Sequence, residues 1–233
     1  MSNTPLVSVI IPVYNGDHHL AEALESVLAQ TYRPIEIIVV DDGSTDNSAN
    51  IARSYKEVRY IYQPNQGVAV ARNTGISQAC GEFIAFLDQD DLWTPNKLSI
   101  QIDYLVKYEN IGYTLAKMRV FLAPGISKPS WLKENYLLED IPGYIVGTLV
   151  VRRSILEKVG EFNPIYKYGN DSDWFFRATD AGISKAILPE TLLHKRIHNA
   201  NESHKVQAMT LDMMKFLRSS IERKRNQKLS NPE

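Results

Sequence analysis

The sequence is poor in cysteine and has no long hydrophobic run. Cys80 is the single cysteine of the 233 residues, so the chain cannot form an intrachain disulfide, which is typical of proteins from a reducing compartment. No stretch approaches the roughly 20 apolar residues of a membrane span, and the N-terminus lacks a basic segment followed by an apolar one. We therefore predict a cytoplasmic protein without a transmembrane segment, and peripheral membrane association stays open.

The sequence also lacks a surplus of charge of either sign. It has 26 Lys and Arg against 27 Asp and Glu, a formal net charge of −1, which argues against a nucleic-acid partner. A basic tail near the C-terminus is interrupted by Glu222; its cations are Arg218, Arg223, Lys224, Arg225 and Lys228. We interpret this tail as a solvated helix end, with contact to a membrane or another anionic partner as the alternative.

Common site motifs are missing as well. No GxGxxG follows the first predicted strand and no GxxxxGK[ST] occurs, so the usual dinucleotide fingerprint and the phosphate-binding loop are both absent. His194 and His198 are four residues apart, but the chain has no HExxH motif for zinc. Nucleotide phosphates would have to be bound by other means, and carboxylates with a metal ion are the candidate.

Strand and helix patterns alternate through the N-terminal half, which predicts an α/β fold with a mostly parallel central sheet flanked by helices. Asp17 and Thr94 are candidate N-caps for helices beginning at His18 and Pro95. The predicted strands cover residues 6–14, 35–40, 58–62, 83–87, 113–122, 148–151 and 187–189, with residues 193–198 extended or in a turn. The predicted helices cover residues 18–30, 47–55, 68–79, 95–106, 154–159, 170–181 and 206–222.

Residues 81–91, GEFIAFLDQDD, combine an apolar strand with three carboxylates directly after it. Anions at the end of a buried strand are costly unless a cation lies beside them, and a divalent metal with oxygen ligands is the usual solution. Asp88 and Asp90 are two residues apart, so both side chains can point the same way and reach one ion. We therefore predict a metal site on these two residues.

Further polar clusters follow other predicted strands. Tyr14 with Asn15, Asp41 with Asp42, and the carboxylates after residue 87 should meet at one edge of a parallel sheet. Each cluster alone is explained by turn formation, but their joint placement favours a site that binds a nucleobase and a diphosphate.

Asp171 and Asp173 open a predicted helix, where N-capping explains one of them. The residues after them, Trp174-Phe175-Phe176, could raise the pKa of a carboxylate, as a general base for a hydroxyl needs. Arg196 and His198 are candidate phosphate contacts, with ordinary surface residues as the alternative.

These motifs together resemble the family-2 glycosyltransferases, inverting enzymes with the GT-A fold. The resemblance covers roughly residues 5–200 and is carried by VSVIIPVYN at 7–15, EIIVVDDGSTD at 36–46, NQG at 65–67 with ARN at 71–73, and DQDD at 88–91. It implies that Asp88 and Asp90 form a DxD motif that binds Mg²⁺ or Mn²⁺ on the donor. The implied nucleotide and donor contacts are Pro12, Tyr14, Asn15, Asp41, Asp42, Arg72, Asp88, Gln89, Arg196 and His198.

The resemblance also implies that Asp171 deprotonates the acceptor hydroxyl, with Asp173 as a second candidate. Asn170 stands where the family often has Glu. The Gln-x-x-Arg-Trp motif of processive members is missing, which predicts a single transfer.

We therefore expect a metal-dependent inverting glycosyltransferase that moves a sugar from a nucleotide-sugar, most simply a UDP-sugar, to a carbohydrate or lipid-linked acceptor in polysaccharide, cell-envelope or glycolipid synthesis. A nucleotidyltransferase or a non-catalytic nucleotide-sugar-binding subunit is the alternative, and a homodimer stays open. Residues 1–205 should form one domain, with a nucleotide-binding half at about 5–95 and an acceptor half at about 96–205. A C-terminal helix and tail follow at 206–233.

Overall fold

The computed structural model describes residues 4–201 and 206–230. Its strands are Val7–Val13 (β1), Ile35–Asp42 (β2), Val58–Gln63 (β3), Phe83–Phe86 (β4), Leu92–Trp93 (β5), Tyr113–Leu122 (β6), Ile141–Pro142 (β7), Val150–Arg152 (β8) and Lys185–Ile197 (β9). Its helices are Leu20–Leu28 (α1), Ser48–Ser54 (α2), Val68–Gln78 (α3), Lys97–Lys107 (α4), Asn135–Leu138 (α5), Arg153–Val159 (α6), Asn170–Asp180 (α7) and Val206–Ser230 (α8).

One sheet connects both halves of the chain, in the order β3-β2-β1-β4-β8-β6-β9-β5, with β7 beside β6. The first four strands in that order are parallel to one another. Every residue of β1 is buried, since Ile11 packs with Leu24 of α1 on one face and Ile10 lies against Gly75 of α3 on the other. The predicted α/β fold with helices on both faces is confirmed, and the carboxyl ends of β1, β2 and β4 lie side by side.

β9 is much longer than the short strand predicted at residues 187–189. It pairs in parallel with β6, where Ile187 lies opposite Leu115 and Thr191 lies opposite Lys117. The register shifts between these two pairs, so Pro189 has no partner in β6. Proline has no N–H for a ladder hydrogen bond, so an irregularity at this position lets the strand continue. The extension lets β9 pair with β5, directly after the DQDD turn.

Both candidate N-caps were wrong. α1 begins at Leu20 after His19, and α4 begins at Lys97 after Asn96, without a side-chain capping bond at either end. A turn precedes α1, in which Gly16 O accepts the N–H groups of His19 and Leu20. Because such turns satisfy the first donors with backbone oxygens, the helices start two residues later than the side-chain pattern indicates.

α8 packs along α7 through the buried side chains of Phe216 and Ser220, and the buried Asp212 contacts the loop before α7. It reaches Ser230, beyond the predicted end at Glu222. The predicted domain boundary near residue 205 and the tail at 231–233 lie outside the described residues. Among the residues that are described, no helix has the length and hydrophobicity needed to cross a membrane.

Candidate active site

Three loops meet at the carboxyl edge of the parallel strands. The Gln89 side chain accepts a hydrogen bond from Tyr14 N at 2.8 Å and donates one to Tyr14 O at 3.1 Å. Asn15, in the left-handed conformation with φ of 49°, accepts the N–H of Thr45 on Oδ1 at 2.8 Å. The loops that carry or follow the three predicted polar clusters are therefore joined by direct hydrogen bonds.

Asp42 is buried and shapes the loop after β3. Its Oδ1 accepts hydrogen bonds from Gln63 Nε2 at 2.7 Å and Gln66 N at 2.9 Å, and its Oδ2 accepts one from Gly67 N at 2.8 Å. Gly67 has a φ of 90°, a conformation that favours glycine. Asp42 thus holds the NQG loop in place, and its contact with a nucleobase stays a prediction.

The other predicted nucleoside residues differ in exposure. Pro12 is buried within β1 opposite Val40, and Asp41 is buried and accepts hydrogen bonds from Ser44 N at 2.8 Å and Tyr60 OH at 2.6 Å. Tyr14 is 51% exposed. Of these three side chains, Tyr14 is therefore the one exposed to solvent, and its contact with a nucleoside stays a prediction.

The DQDD turn lies among cations and hydrogen-bond donors. Asp88 Oδ1 accepts Arg72 Nη2 at 2.7 Å, and Asp88 Oδ2 lies 3.8 Å from Lys195 Nζ. Asp90 Oδ2 lies 2.8 Å from His198 Nε2 and accepts Asn201 Nδ2 at 2.8 Å. Burial alone would raise the pKa of Asp90, but Lys195 and the hydrogen bond with His198 outweigh it and lower that pKa to about 2.

Asp91 joins the turn to β9. This carboxylate is fully buried, and it accepts hydrogen bonds from Lys195 Nζ at 3.0 Å and from Arg196 N at 2.9 Å. Burial acts to lower the pKa of Lys195, but the neighbouring carboxylates outweigh it and raise that pKa, so this lysine stays charged. Sequence reasoning missed Lys195, which brings a permanent positive charge to the DQDD turn.

Arg196 is buried rather than presented to solvent. Its Nε donates to Asp90 O at 2.9 Å and its Nη2 donates to Glu22 Oε2 at 2.6 Å, so it ties the turn to α1. The His198 ring lies 4.9 Å from the ring of His19, centroid to centroid. The predicted phosphate contacts of Arg196 and His198 stay predictions. In the structure, Arg196 connects the DQDD turn to α1.

Asp88 and Asp90 fit a metal site whose remaining ligands would come from a bound diphosphate and water. Mg²⁺ is usually held by one or two carboxylates together with substrate phosphates and water, and Asp88 and Asp90 can supply those carboxylate oxygens. Within the described residues, no cluster of three or more His, Cys, Asp or Glu side chains could bind a metal by itself. Metal binding by Asp88 and Asp90 stays a prediction, and it would need substrate phosphates and water as further ligands.

Asp171 lies at the second position of α7, next to the same cluster. Arg72 Nη1 donates to Asn170 Oδ1 at 2.8 Å, which joins the start of α7 to Asp88. Burial raises the pKa of Asp171; the charge of Asp88 adds to this and the charge of Arg72 opposes it. A carboxylate with a raised pKa beside a cationic cluster is suited to accept a proton.

Asp173 points elsewhere. Two residues along an α-helix differ by about 200°, so Asp171 and Asp173 cannot face one site. Asp173 Oδ2 accepts Arg177 Nε at 2.8 Å, and Arg177 donates to the carbonyls of Val159 and Glu161 at 2.8 and 2.6 Å. The helix phase therefore argues against the predicted catalytic role of Asp173, which anchors residues 159–161 to α7.

Comparison with known proteins identifies the family of the chain. The model of glycosyl transferase family 2 matches residues 8–160. The chain is 37% identical over 213 residues to an uncharacterized glycosyltransferase of Rickettsia typhi, covering 86% of this chain and 67% of that protein. It is 36% identical over 158 residues to WfgD of Escherichia coli, a UDP-Glc:alpha-D-GlcNAc-diphosphoundecaprenol beta-1,3-glucosyltransferase, covering 65% of this chain and 62% of WfgD. The chain therefore belongs to glycosyl transferase family 2.

A solved structure shows the same fold. The mannosyltransferase PcManGT from Pyrobaculum calidifontis, in complex with GDP-Man and Mn²⁺, matches with a TM-score of 0.74 at 20% identity, covering 95% of this chain and 65% of that one. The GT-A type of α/β fold expected from the sequence is confirmed. The chain spans about two thirds of the length of the two relatives and of this structure.

Proposed function

We propose that the chain is a metal-dependent inverting glycosyltransferase that moves a sugar from a nucleotide-sugar to an acceptor hydroxyl. The observation that carries the proposal is the double hydrogen bond of Arg72, which joins the carboxylate motif at Asp88 to the helix that starts with Asn170 and Asp171. A leaving-group site and a candidate base thus share one cluster. Direct displacement with inversion needs one base and one stabilised leaving group.

Asp88 and Asp90 would hold Mg²⁺ or Mn²⁺ together with the donor diphosphate. A metal there would neutralise charge on the departing nucleoside diphosphate. Arg72 and Lys195 add two fixed cations to the same cluster, so the leaving anion would meet positive charge that is already in place. The oxygen of the acceptor hydroxyl would attack the anomeric carbon from the face opposite the leaving group, and Asp171 would accept the proton of that hydroxyl.

The donor proposed is a UDP-sugar, and the acceptor a carbohydrate carried on a lipid. The printed name of WfgD, with a UDP-glucose donor and a diphosphoundecaprenol-linked acceptor, supports both choices. PcManGT was solved with GDP-Man, so the nucleotide must be measured rather than assumed. A single transfer is proposed, because the Gln-x-x-Arg-Trp motif is missing.

The test is a product assay with purified protein. UDP-glucose, UDP-N-acetylglucosamine and GDP-mannose are each supplied with Mn²⁺, with Mg²⁺ or with a chelator, together with diphosphoundecaprenol-linked acceptors. We expect release of UDP and glycosylation of the acceptor, both dependent on metal, and a product of inverted anomeric configuration. Release of sugar 1-phosphate would instead indicate nucleotidyl transfer, and the absence of turnover with every donor would contradict the proposal.

A further inference from the structure

α8 has one face that is fixed to the rest of the molecule. Asp212 Oδ2 accepts Tyr168 N at 3.1 Å, the buried Phe216 ring lies 5.3 Å from the Phe176 ring, and Ser220 Oγ donates to Asp180 Oδ1 at 2.9 Å. These contacts repeat along the helix and fix its rotation about its own axis. The opposite face is therefore held outward, away from α7.

That outward face carries large apolar side chains. Leu211, Met214 and Ile221 are 60%, 62% and 68% exposed. Together with the exposed Arg218 and Arg225 they recur at steps of three and four, so the five residues form one stripe along the helix, called the α8 stripe below. Exposed large apolar side chains that share one face indicate a surface that is covered in use.

The two arginines decide what covers the α8 stripe. If two copies paired through their stripes, Arg218 and Arg225 would be buried among apolar groups or beside like charges, which is costly. A lipid surface accepts the same pattern, because apolar side chains enter the acyl boundary while guanidinium groups extend to the phosphates.

The charge of the surrounding surface favours anionic lipid. Lys215 and Lys224 are exposed on the flanks of the stripe, where they pair with Asp212 at 3.2 Å and with Asp180 at 3.5 Å. Glu222 is the exposed acid on the part of the helix whose side chains are described. Asp212, the other acid on that part, is buried against the 166–170 loop. Each basic residue near a bilayer adds to its attraction for anionic headgroups.

We propose that the α8 stripe docks on the surface of an anionic lipid bilayer. Since α8 packs directly on α7, docking brings the helix that carries Asp171 to the membrane. Such docking would give the site access to a lipid-linked acceptor, and this use rests on the proposed function. The docking itself does not depend on that function.

The experiment is co-sedimentation of the full chain with vesicles, without donor or acceptor. One set of vesicles is pure phosphatidylcholine and the other an equal mixture of phosphatidylcholine and phosphatidylglycerol. We expect binding to the mixed vesicles only, a fall of about tenfold or more for Met214→Gln/Ile221→Gln, and a similar fall for Arg218→Gln/Arg225→Gln. Added salt should weaken binding of the wild type more than that of the arginine variant.

The matched control is Val106→Gln/Leu138→Gln, which makes the same chemical change at two exposed apolar residues outside α8. It should bind like the wild type, and thermal unfolding should show that all variants are folded. The proposal is overturned if the wild type does not sediment with the mixed vesicles, if the Met214→Gln/Ile221→Gln variant binds equally, or if that variant instead dissociates a dimer seen by analytical ultracentrifugation. None of these results bears on sugar transfer, which is assayed separately.

Discussion

Arg72 donates from Nη2 to Asp88 Oδ1 at 2.7 Å and from Nη1 to Asn170 Oδ1 at 2.8 Å. One guanidinium thus joins the turn after β4 to the first residue of α7, two positions that are distant in sequence. Because Asp171 follows Asn170, the distance between the proposed base and the carboxylate motif depends on this contact. The Arg72 bridge connects the proposed donor side of the site to the proposed acceptor side.

Removing the bridge should impair transfer strongly. In Arg72→Met both hydrogen bonds and one positive charge are lost, and we expect kcat to fall roughly 100-fold at saturating substrates. Arg72→Lys should restore only part of the rate, because an ammonium cannot make the two-pronged contact. Arg59→Met is the control, since Arg59 is an exposed arginine that bonds Gln78, and its activity should not change. Wild-type turnover by Arg72→Met would refute the role of the bridge.

The pH profile of transfer should report the environment of Asp171. A base acts when deprotonated, so kcat should rise with pH along an acid limb, and burial together with Asp88 should place its midpoint above the ordinary 3.8. Because Arg72 opposes that rise, Arg72→Met should move the limb to still higher pH. Donor affinity measured across the same range controls for changes in binding. An acid limb that does not move in the variant would count against this assignment.

Asp173→Asn should affect stability more than chemistry. The change leaves the Arg177 guanidinium without its anionic partner, and we expect a loss of about 2 kcal/mol in the free energy of unfolding, measured with urea. The transfer rate per folded molecule should stay within about twofold of the wild type, since the side chain faces away from the site. An inactive variant of normal stability would restore Asp173 as a catalytic candidate.

These two aspartates show how far the sequence leads. The helix was predicted to open at this point, and the 3.6-residue repeat already separates the two side chains, so the signal that distinguishes them was present.

The parallel sheet and the DQDD turn follow from apolar runs and local spacing. Lys195 could not be found in this way, because it lies 104 residues from Asp91 and reaches it through the pairing of Leu92 with His194, which no local pattern encodes.

Lys97 predicts a measurable dependence of stability on pH. It is fully buried, donating from Nζ to Gln101 Oε1 and to Thr148 O and lying 4.6 Å from the Trp93 ring centre, and none of these partners is an anion. Burial therefore lowers its pKa well below the ordinary 10.5. At a pH below 10.5 the lysine of the unfolded chain binds a proton more readily than the buried lysine of the folded chain. This group therefore lowers the free energy of unfolding as the pH falls.

Lys97→Met should remove that cost. As the pH falls below the ordinary pKa of 10.5 and until it reaches the lowered pKa of the folded state, the wild type should lose up to about 1.4 kcal/mol per pH unit relative to the variant, measured by urea unfolding at each pH. Lys107→Met, at the exposed end of the same helix, is the control and should follow the wild type. Parallel curves for wild type and Lys97→Met would show that the buried amine keeps its proton.

The most direct test of the central claim separates binding from chemistry in Asp171→Asn. The donor affinity of the variant, measured by calorimetry with Mn²⁺, should stay close to that of the wild type, because the variant keeps Asp88, Asp90 and Arg72, the residues proposed to bind the donor diphosphate. Its transfer rate should fall about 1,000-fold, because the attacking hydroxyl then lacks a base. Normal binding with lost transfer is the result that our account predicts. Equal loss of both, or transfer at the wild-type rate, would contradict it.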